Sequence, residues 1–374
     1  MQEKTKLDFN GSVILVTGSP GFIGANLVIR LLHTMSSGTI VSLDNMNDYY
    51  DPALKEYRLQ KIGDEAAAAP AGLHHIFIKG SIADKDLVFR TFDKYRPDIV
   101  VNLAAQGGVR YSVAHPDAYI ESNIIGFFNI LEACRHSYVQ NESDFSYRGV
   151  RHLVYASSSS VYGNQESVPF SIGDKADEPV SLYAATKKSD ELLAYAYSKL
   201  YNIPCTGLRF FTVYGPAGRP DMFYYSAAEK LIRGDGIRLF NYGNCARDFT
   251  YIDDIVEGII RVIQGAPVKR NGADGLPVPP YALYNIGNGS PVNLLDFVRV
   301  LQEELVAGGL LPADYDFAGH QEPVPMQPGD VAVTCADMTA LERDYGYRPE
   351  TDIRTGLKAF VEWYREYTGR ASDR

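Results

Sequence analysis

The sequence predicts an α/β protein: a doubly wound parallel sheet joined to a smaller mixed α/β domain. Three observations predict it. Short β-branched runs alternate with helical spacing through the first half of the 374 residues, a glycine-rich segment joins the first run to the first helix, and an aspartate closes the second run. Strands that alternate with helices fold as a parallel sheet covered on both faces.

The elements follow in chain order. Residues 12–17 (SVILVT) form a continuous apolar run, as a strand buried on both faces requires. Residues 23–33 place Ile23, Leu27, Leu31 and Leu32 on one side of a helix. Further strands are expected at 39–43, 75–78, 99–103, 152–156 and 206–211, with helices at 117–135 and 184–199. The second half is less regular. Gly and Pro cluster at 215–220 and at 265–280, the latter reading as a surface loop, and helices are expected at 293–306 and 354–367. The length fits about two domains at ~150 residues each. Residues 10–212 and 249–288 are assigned to the sheet domain, and 213–248 with 289–372 to the smaller one.

Composition narrows the function classes. The chain is 45% hydrophobic and 22% charged, which fits a folded protein and excludes a disordered tail or a coiled coil. No run of about 18 apolar residues is present, so no membrane partner is expected. The four cysteines are scattered without a CxxC pair, and the seven histidines show no ligand spacing. No metal is therefore expected, and a reducing, cytoplasmic setting is the default. A formal net charge of -10 disfavours nucleic acid.

The glycine-rich segment is Thr17-Gly18-Ser19-Pro20-Gly21-Phe22-Ile23-Gly24. Gly18 permits a tight turn, Gly21 lets backbone approach a pyrophosphate, and Gly24 lets helix and sheet pack closely. The helix N-terminus adds oriented N–H groups for phosphates. A glycine triplet alone also makes ordinary turns. Asp44, closing the second strand, adds a carboxylate suited to ribose hydroxyls, and it would repel a 2′-phosphate, favouring NAD over NADP.

Two further groups carry chemistry. Tyr183 and Lys187 lie four residues apart, on one face if helical. A nearby cation favours phenolate over phenol, and a phenolate can remove a proton from a sugar hydroxyl. With 26 tyrosines in the chain, the pair informs only beside the nucleotide signature. Ser157 to Ser160 place four hydroxyls after a buried strand; such a run also makes local backbone hydrogen bonds.

Together these segments resemble the extended short-chain dehydrogenase/reductase family over nearly the whole chain, and most closely the UDP-glucuronate 4-epimerases. The resemblance rests on TGSPGFIG (17–24), NLAAQ (102–106), the serine run, YAATK (183–187) and YNIGNG (284–289). More specific are DNMNDYYDPALKEYRL (44–59), GGVRYS (107–112), RFFTVYGPAGRPDM (209–222), RDFTYIDD (247–254) and MQPGDV (326–331).

The resemblance implies a Rossmann-type sheet holding NAD and a smaller domain holding a UDP-uronic acid. It implies Tyr183 as base, Lys187 as its partner, and Ser158 positioning the 4-hydroxyl. Gly18, Gly21, Phe22, Ile23, Gly24, Asp44 and Asn45 would hold the adenosine half, Ser81 and Ile82 would meet adenine, and Ala104 and Ala105 would line the channel. Ser159, Ser160 and Thr212 would face the sugar, Arg247 the pyrophosphate, Asp330 the uridine ribose, and Arg219 the anionic half, with Arg110 a weaker candidate. The implied reaction interconverts UDP-glucuronate and UDP-galacturonate through a 4-keto sugar. Decarboxylation or dehydration is the alternative, but those enzymes need a further acid/base group that the serines lack. The family also implies a homodimer built from helices 117–135 and 184–199. Two departures stand out: Ser81 replaces the usual aspartate before Ile82, and Pro20 removes one N–H from the glycine loop.

Overall fold

The computed structural model describes residues 3–139, 149–165, 167–326 and 331–369. Its centre is a seven-stranded sheet. The strands are β1 (Val13–Thr17), β2 (Gly38–Asp44), β3 (Leu73–Lys79), β4 (Ile99–Asn102), β5 (His152–Ser158), β6 (Cys205–Phe210) and β7 (Tyr281–Ile286). They lie in the order β7-β6-β5-β4-β1-β2-β3, every pairing parallel. The chain steps outward from β1 in both directions, so a crevice opens at the carboxyl ends of β1 and β4. There Thr17 pairs with Asn102, and the Thr17 hydroxyl donates to the Asn102 side chain at 2.7 Å.

Helices cover both faces. Of α1 (Phe22–Thr34), α2 (Pro52–Ala68), α3 (Lys85–Tyr95), α4 (Phe127–Val139), α5 (Leu182–Tyr201), α6 (Phe223–Arg233), α7 (Ile252–Ile263), α8 (Leu294–Ala307) and α9 (Ile353–Tyr367), the first five and α7 cover the sheet, while α6, α8 and α9 pack together beside it. Strand alternation divides the core. Ile14, Val16, Ile99, Val101 and Val154 pack with α1 and α7, while Leu15, Val100 and Leu153 face the opposite side with α3, α4 and α5. A third cluster joins Tyr224, Leu231, Phe249, Phe297, Leu301, Phe360 and Trp363. Within it Phe249 stacks on Phe297 at 4.0 Å between ring centres.

The expected strands and helices are present, with two differences. The expected helix 117–135 is a longer helical run, Pro116–Tyr119, then Ile120–Gly126 wound as a π-helix, then α4. Periodicity cannot reveal that widening, since apolar spacing is nearly the same on either side. The expected loop 265–280 contains Gly265–Pro267, which pairs antiparallel with Lys4–Lys6, and a short hairpin of Arg270–Asn271 with Pro277–Val278. Strands this short carry no alternation to read.

Polar caps fix α5. Ser181 caps its first turn, accepting from the Ala184 N–H at 3.1 Å, and Asn202 ends it in the left-handed conformation at φ 55°. At its middle, Glu191 accepts both arms of Arg209 on β6 at 2.7 and 2.8 Å, and the Ser157 hydroxyl of β5 at 2.7 Å. All three side chains are buried.

Removing one member of a buried ion pair leaves an uncompensated charge. Glu191→Ala should therefore lower unfolding free energy in urea by about 3–5 kcal/mol. Glu191→Leu combined with Arg209→Met should recover most of that loss, because no buried charge remains.

Candidate functional site

The crevice continues as a cleft of about 1140 Å³ between the sheet's carboxyl edge and the third core cluster. Its lining brings together every expected site residue except Asp330, which falls outside the described residues.

At one end the glycine loop turns against the sheet. Gly18 adopts φ 72°, and a Cβ there would stand 2.7 Å from the Ala104 nitrogen. A Cβ on Gly24 would stand 2.2 Å from the Gly18 carbonyl, and one on Gly21 would stand 2.8 Å from it. Only glycine lets α1 begin this close to the β1 edge. The helix starts without a side-chain cap. Its N-terminal amides and positive potential therefore fit an anionic ligand in the cleft.

Asp44 is buried at the end of β2. It accepts the Met46 N–H at 2.7 Å and Lys55 at 3.4 Å, both on Oδ1. Lys55 was not expected at the site; its ammonium also donates to Asn47 at 2.6 Å. Burial holds the Lys55 amine below its usual range, and Asp44 partly offsets that. Ser81 lines the same end, its hydroxyl accepting the Ala83 N–H at 3.1 Å.

In the middle stand Tyr183, Lys187 and the serine run. Tyr183 opens α5 and packs edge-on against Tyr119, with ring centres 6.0 Å apart. Lys187, one turn on, is buried and donates to the Ala156 carbonyl at 2.9 Å. Ser158 caps a short turn, its hydroxyl donating to Ser160 Oγ at 3.1 Å and accepting the Ser160 N–H at 3.2 Å. The serine run thus makes the local bonds such runs favour while still lining the cleft. Ser157 instead turns its hydroxyl to Glu191.

Sequence reasoning missed Asn123 and Arg58. Asn123, in the π-helical segment, accepts the Gln106 N–H at 2.8 Å and donates to Thr186 at 3.0 Å. It ties the channel strand to the tyrosine helix. Its local sequence (IESNIIG) carries Glu121 and Ser122 as well, so the asparagine does not stand out as the polar group that turns inward. Arg58 of α2 is buried and donates to the carbonyls of Pro20, Ala217 and Gly218. It links the glycine loop to the opposite wall; it lies in the distinctive 44–59 segment, which by itself gives the arginine no role.

At the far end are the arginines. Arg247 donates to the Ala332 carbonyl at 3.0 Å. Next to it Asp248 is fully buried and accepts the N–H groups of Asn288, Gly289 and Ala336 at 2.6–2.9 Å. Arg219 reaches the cleft with its guanidinium engaged: Nε and Nη2 donate to Asp221 at 2.9 and 2.6 Å, and Tyr49 donates to the same carboxylate at 3.1 Å. Burial raises the Asp221 carboxyl, but Arg219 more than offsets it, and the net is below the ordinary value. Arg110 stacks over the Phe240 ring at 4.7 Å.

A family model described as the NAD dependent epimerase/dehydratase family matches residues 14–287. The chain is 46% identical to protein CapI of Staphylococcus aureus, covering 95% of this chain and 98% of that protein. It is 42% identical to UDP-glucuronate 4-epimerase 4 of Arabidopsis thaliana, covering 96% of this chain and 76% of that protein. Among solved structures, a Bacillus cereus UDP-glucuronic acid 4-epimerase in complex with UDP-glucuronic acid and NAD aligns with TM-score 0.76 and 28% identity, over 95% of this chain and 99% of that one. A Streptomyces venezuelae dTDP-glucose 4,6-dehydratase with NAD aligns with TM-score 0.78 and 26% identity, over 96% and 98%.

The Asp221 carboxyl lies below its unfolded value, so its pairing with Arg219 stabilises the protein above about pH 4 and is lost as pH falls further. Melting temperatures of wild type and Asp221→Asn should differ by a constant amount above about pH 5 and converge in acid.

Proposed function

The chain belongs to the NAD-dependent epimerase/dehydratase family, and on that premise we propose that it interconverts UDP-glucuronate and UDP-galacturonate by inverting C4. The observation that carries this reading is one cleft that combines Tyr183 and Lys187 with hydroxyls of Ser158, Ser159, Ser160 and Thr212 and with Arg219 and Arg247. The named plant relatives and the Bacillus cereus structure support it.

The residues present fit NAD: a glycine turn with no room for side chains, an uncapped helix start, and a buried carboxylate with both its bonds on one oxygen. In this reading Gly18, Gly21, Phe22, Ile23 and Gly24 hold the pyrophosphate. Asp44 and Asn45 hold the adenosine ribose, Ser81 and Ile82 meet adenine, and Ala104 and Ala105 line the way to Tyr183 and Lys187. Bound there, NAD would supply the hydride acceptor and donor that inversion at C4 requires. Tyr183 removes the 4-hydroxyl proton, holds it while the 4-keto sugar turns over, and returns it to the C4 oxygen as the ketone is reduced on its opposite face. Ser158 orients the oxygen, and Arg247 and Arg219 serve the anionic ends of the UDP-uronic acid. Arg219 does so from within its pair with Asp221, so a ligand anion shares it rather than finding it bare.

The substrate adds a hazard. A ketone at C4 makes the C5 carboxylate a β-keto acid, which loses CO₂ when the C5–C6 bond aligns with the ketone π system. Ser159, Ser160 and Thr212 hold that carboxylate out of alignment. In the same reading the sheet domain takes 10–212 and 249–288, and the smaller domain takes 213–248 and 289–372. The packing of Tyr57 against Trp363 joins the two through α2.

The reading extends to a homodimer in the cytoplasm. Ile120, Ile125 and Phe128 on one helical run, and Leu192 and Leu200 on α5, are 40–68% exposed. These two helices offer the apolar face a second copy would cover. All four cysteines are free and buried, which supports a reducing compartment.

Proton NMR of UDP-glucuronate incubated with the purified protein and no added cofactor should show UDP-galacturonate; UDP-pentose would favour the decarboxylase. Tyr183→Phe should lower turnover about 10²–10⁴-fold while the protein retains NAD and UDP-sugar. Thr212→Val should release UDP-pentose, and unchanged turnover without it would remove the carboxylate grip. Leu192→Glu with Phe128→Glu should convert a dimer to a monomer in light scattering.

A further inference from the structure

Asp190 lies on α5 three residues beyond Lys187 and is 2% exposed. Its Oδ2 is 3.4 Å from the Lys187 ammonium. Its Oδ1 is buried and has no hydrogen-bond partner. A carboxyl enclosed this way carries a large cost when charged, and structural carboxylates are normally fully bonded. Glu191, the next residue, shows the contrast: its two oxygens take Arg209 and Ser157. Asp190 therefore does not serve as a structural anchor of that kind.

Resting on the assignment of Tyr183 as base, we propose that Asp190 is a positioning residue: its carboxyl sets how much of the Lys187 charge reaches Tyr183, and so where in pH the base works.

Among the described residues, Lys187 is the cation within ion-pair distance of Asp190. Glu191 and Lys188 share its helix, with Lys188 3.5 Å from Glu191. Among elements packed on α5, β6 brings Arg209, held by Glu191, and α4 brings Glu132, held by Arg135 and Tyr197. The phenols of Tyr155 and Tyr281 bond each other, that of Tyr119 bonds the Gly107 carbonyl, and that of Tyr162 bonds Asn285. Burial pushes the Asp190 carboxyl up to about 7, against the pull of Lys187. Neutral Asp190 leaves the ammonium's field on Tyr183 unopposed. Ionised Asp190 draws and screens it, which disfavours phenolate. The two proton losses oppose each other, so the acid limb of the activity profile is shallow.

The test compares wild type with Asp190→Asn, which keeps size and an acceptor but removes the charge. The expected result is a steeper acid limb in kcat, moved about half a pH unit or more toward acid. A second readout is independent of turnover. The phenolate absorbance near ~295 nm, taken as each protein minus its own Tyr183→Phe counterpart, should rise at lower pH in the Asp190→Asn background. Asp190→Leu should shift in the same direction if charge is responsible. If neither limb nor absorbance moves while Tyr183→Phe is inactive, Asp190 has no such role and the base assignment stands. If Tyr183→Phe is active, the base assignment itself fails.

Discussion

The orientation of the reactive helix rests on one buried ion pair. Glu191 takes both arms of Arg209 from the neighbouring strand and the hydroxyl of Ser157 from the next. Tyr183, Lys187 and Glu191 are spaced by four, so they form one stripe along α5. Locking the last member against two strands fixes the rotation of the helix, and the first two are then held toward the cleft. Serine capping at Ser181 fixes the helix start, so the stripe is set in both rotation and depth. The bonds do not create net stability so much as register, since a well-packed apolar pair would hold the fold as well.

A second carboxylate organises the far wall. Asp248 gathers three N–H groups from two separate segments, 288–289 and 336. These would otherwise lack a partner at the wall that carries Arg247. Burial raises its carboxyl, and the three N–H bonds counter that. Its neighbour Arg247 is thereby carried on a rigid support, with its guanidinium steadied by the Ala332 carbonyl. The net charge of -10 is a property of the far field. The cleft itself is lined by arginines, lysines, hydroxyls and helix-terminal amides, a local composition that the net charge does not describe.

Much of this was legible in the sequence because the informative residues are contiguous. TGSPGFIG and YAATK are each short and contiguous, and the continuous apolar run that precedes the first is what a strand buried on both faces requires. What escaped were contacts made across the chain. Arg58 meets Ala217 and Gly218 from 159 and 160 residues away, and Asn123 meets Thr186 from 63. Arg219 was legible as a cation, but its pairing with Asp221 and Tyr49 depends on how a loop folds back. Lys55 was quoted within a segment without a role; only the approach of α2 to the end of β2 gives it one.

The π-helical stretch Ile120–Gly126 has a consequence of its own. A π turn contains one residue more than an α turn, so this stretch behaves as a single-residue insertion absorbed into a helix. Deleting one residue there would let the run wind as an ordinary α-helix. The helix on either side would keep its facing, because an α turn closes the same circle with one residue fewer. The apolar face against the sheet would then be kept, and what is lost is the wider turn that holds Asn123 to Gln106 and Thr186. Shortening this helix and preserving the crevice are thus mutually exclusive, and the extra residue is the means by which a packing helix also carries a polar group into the site.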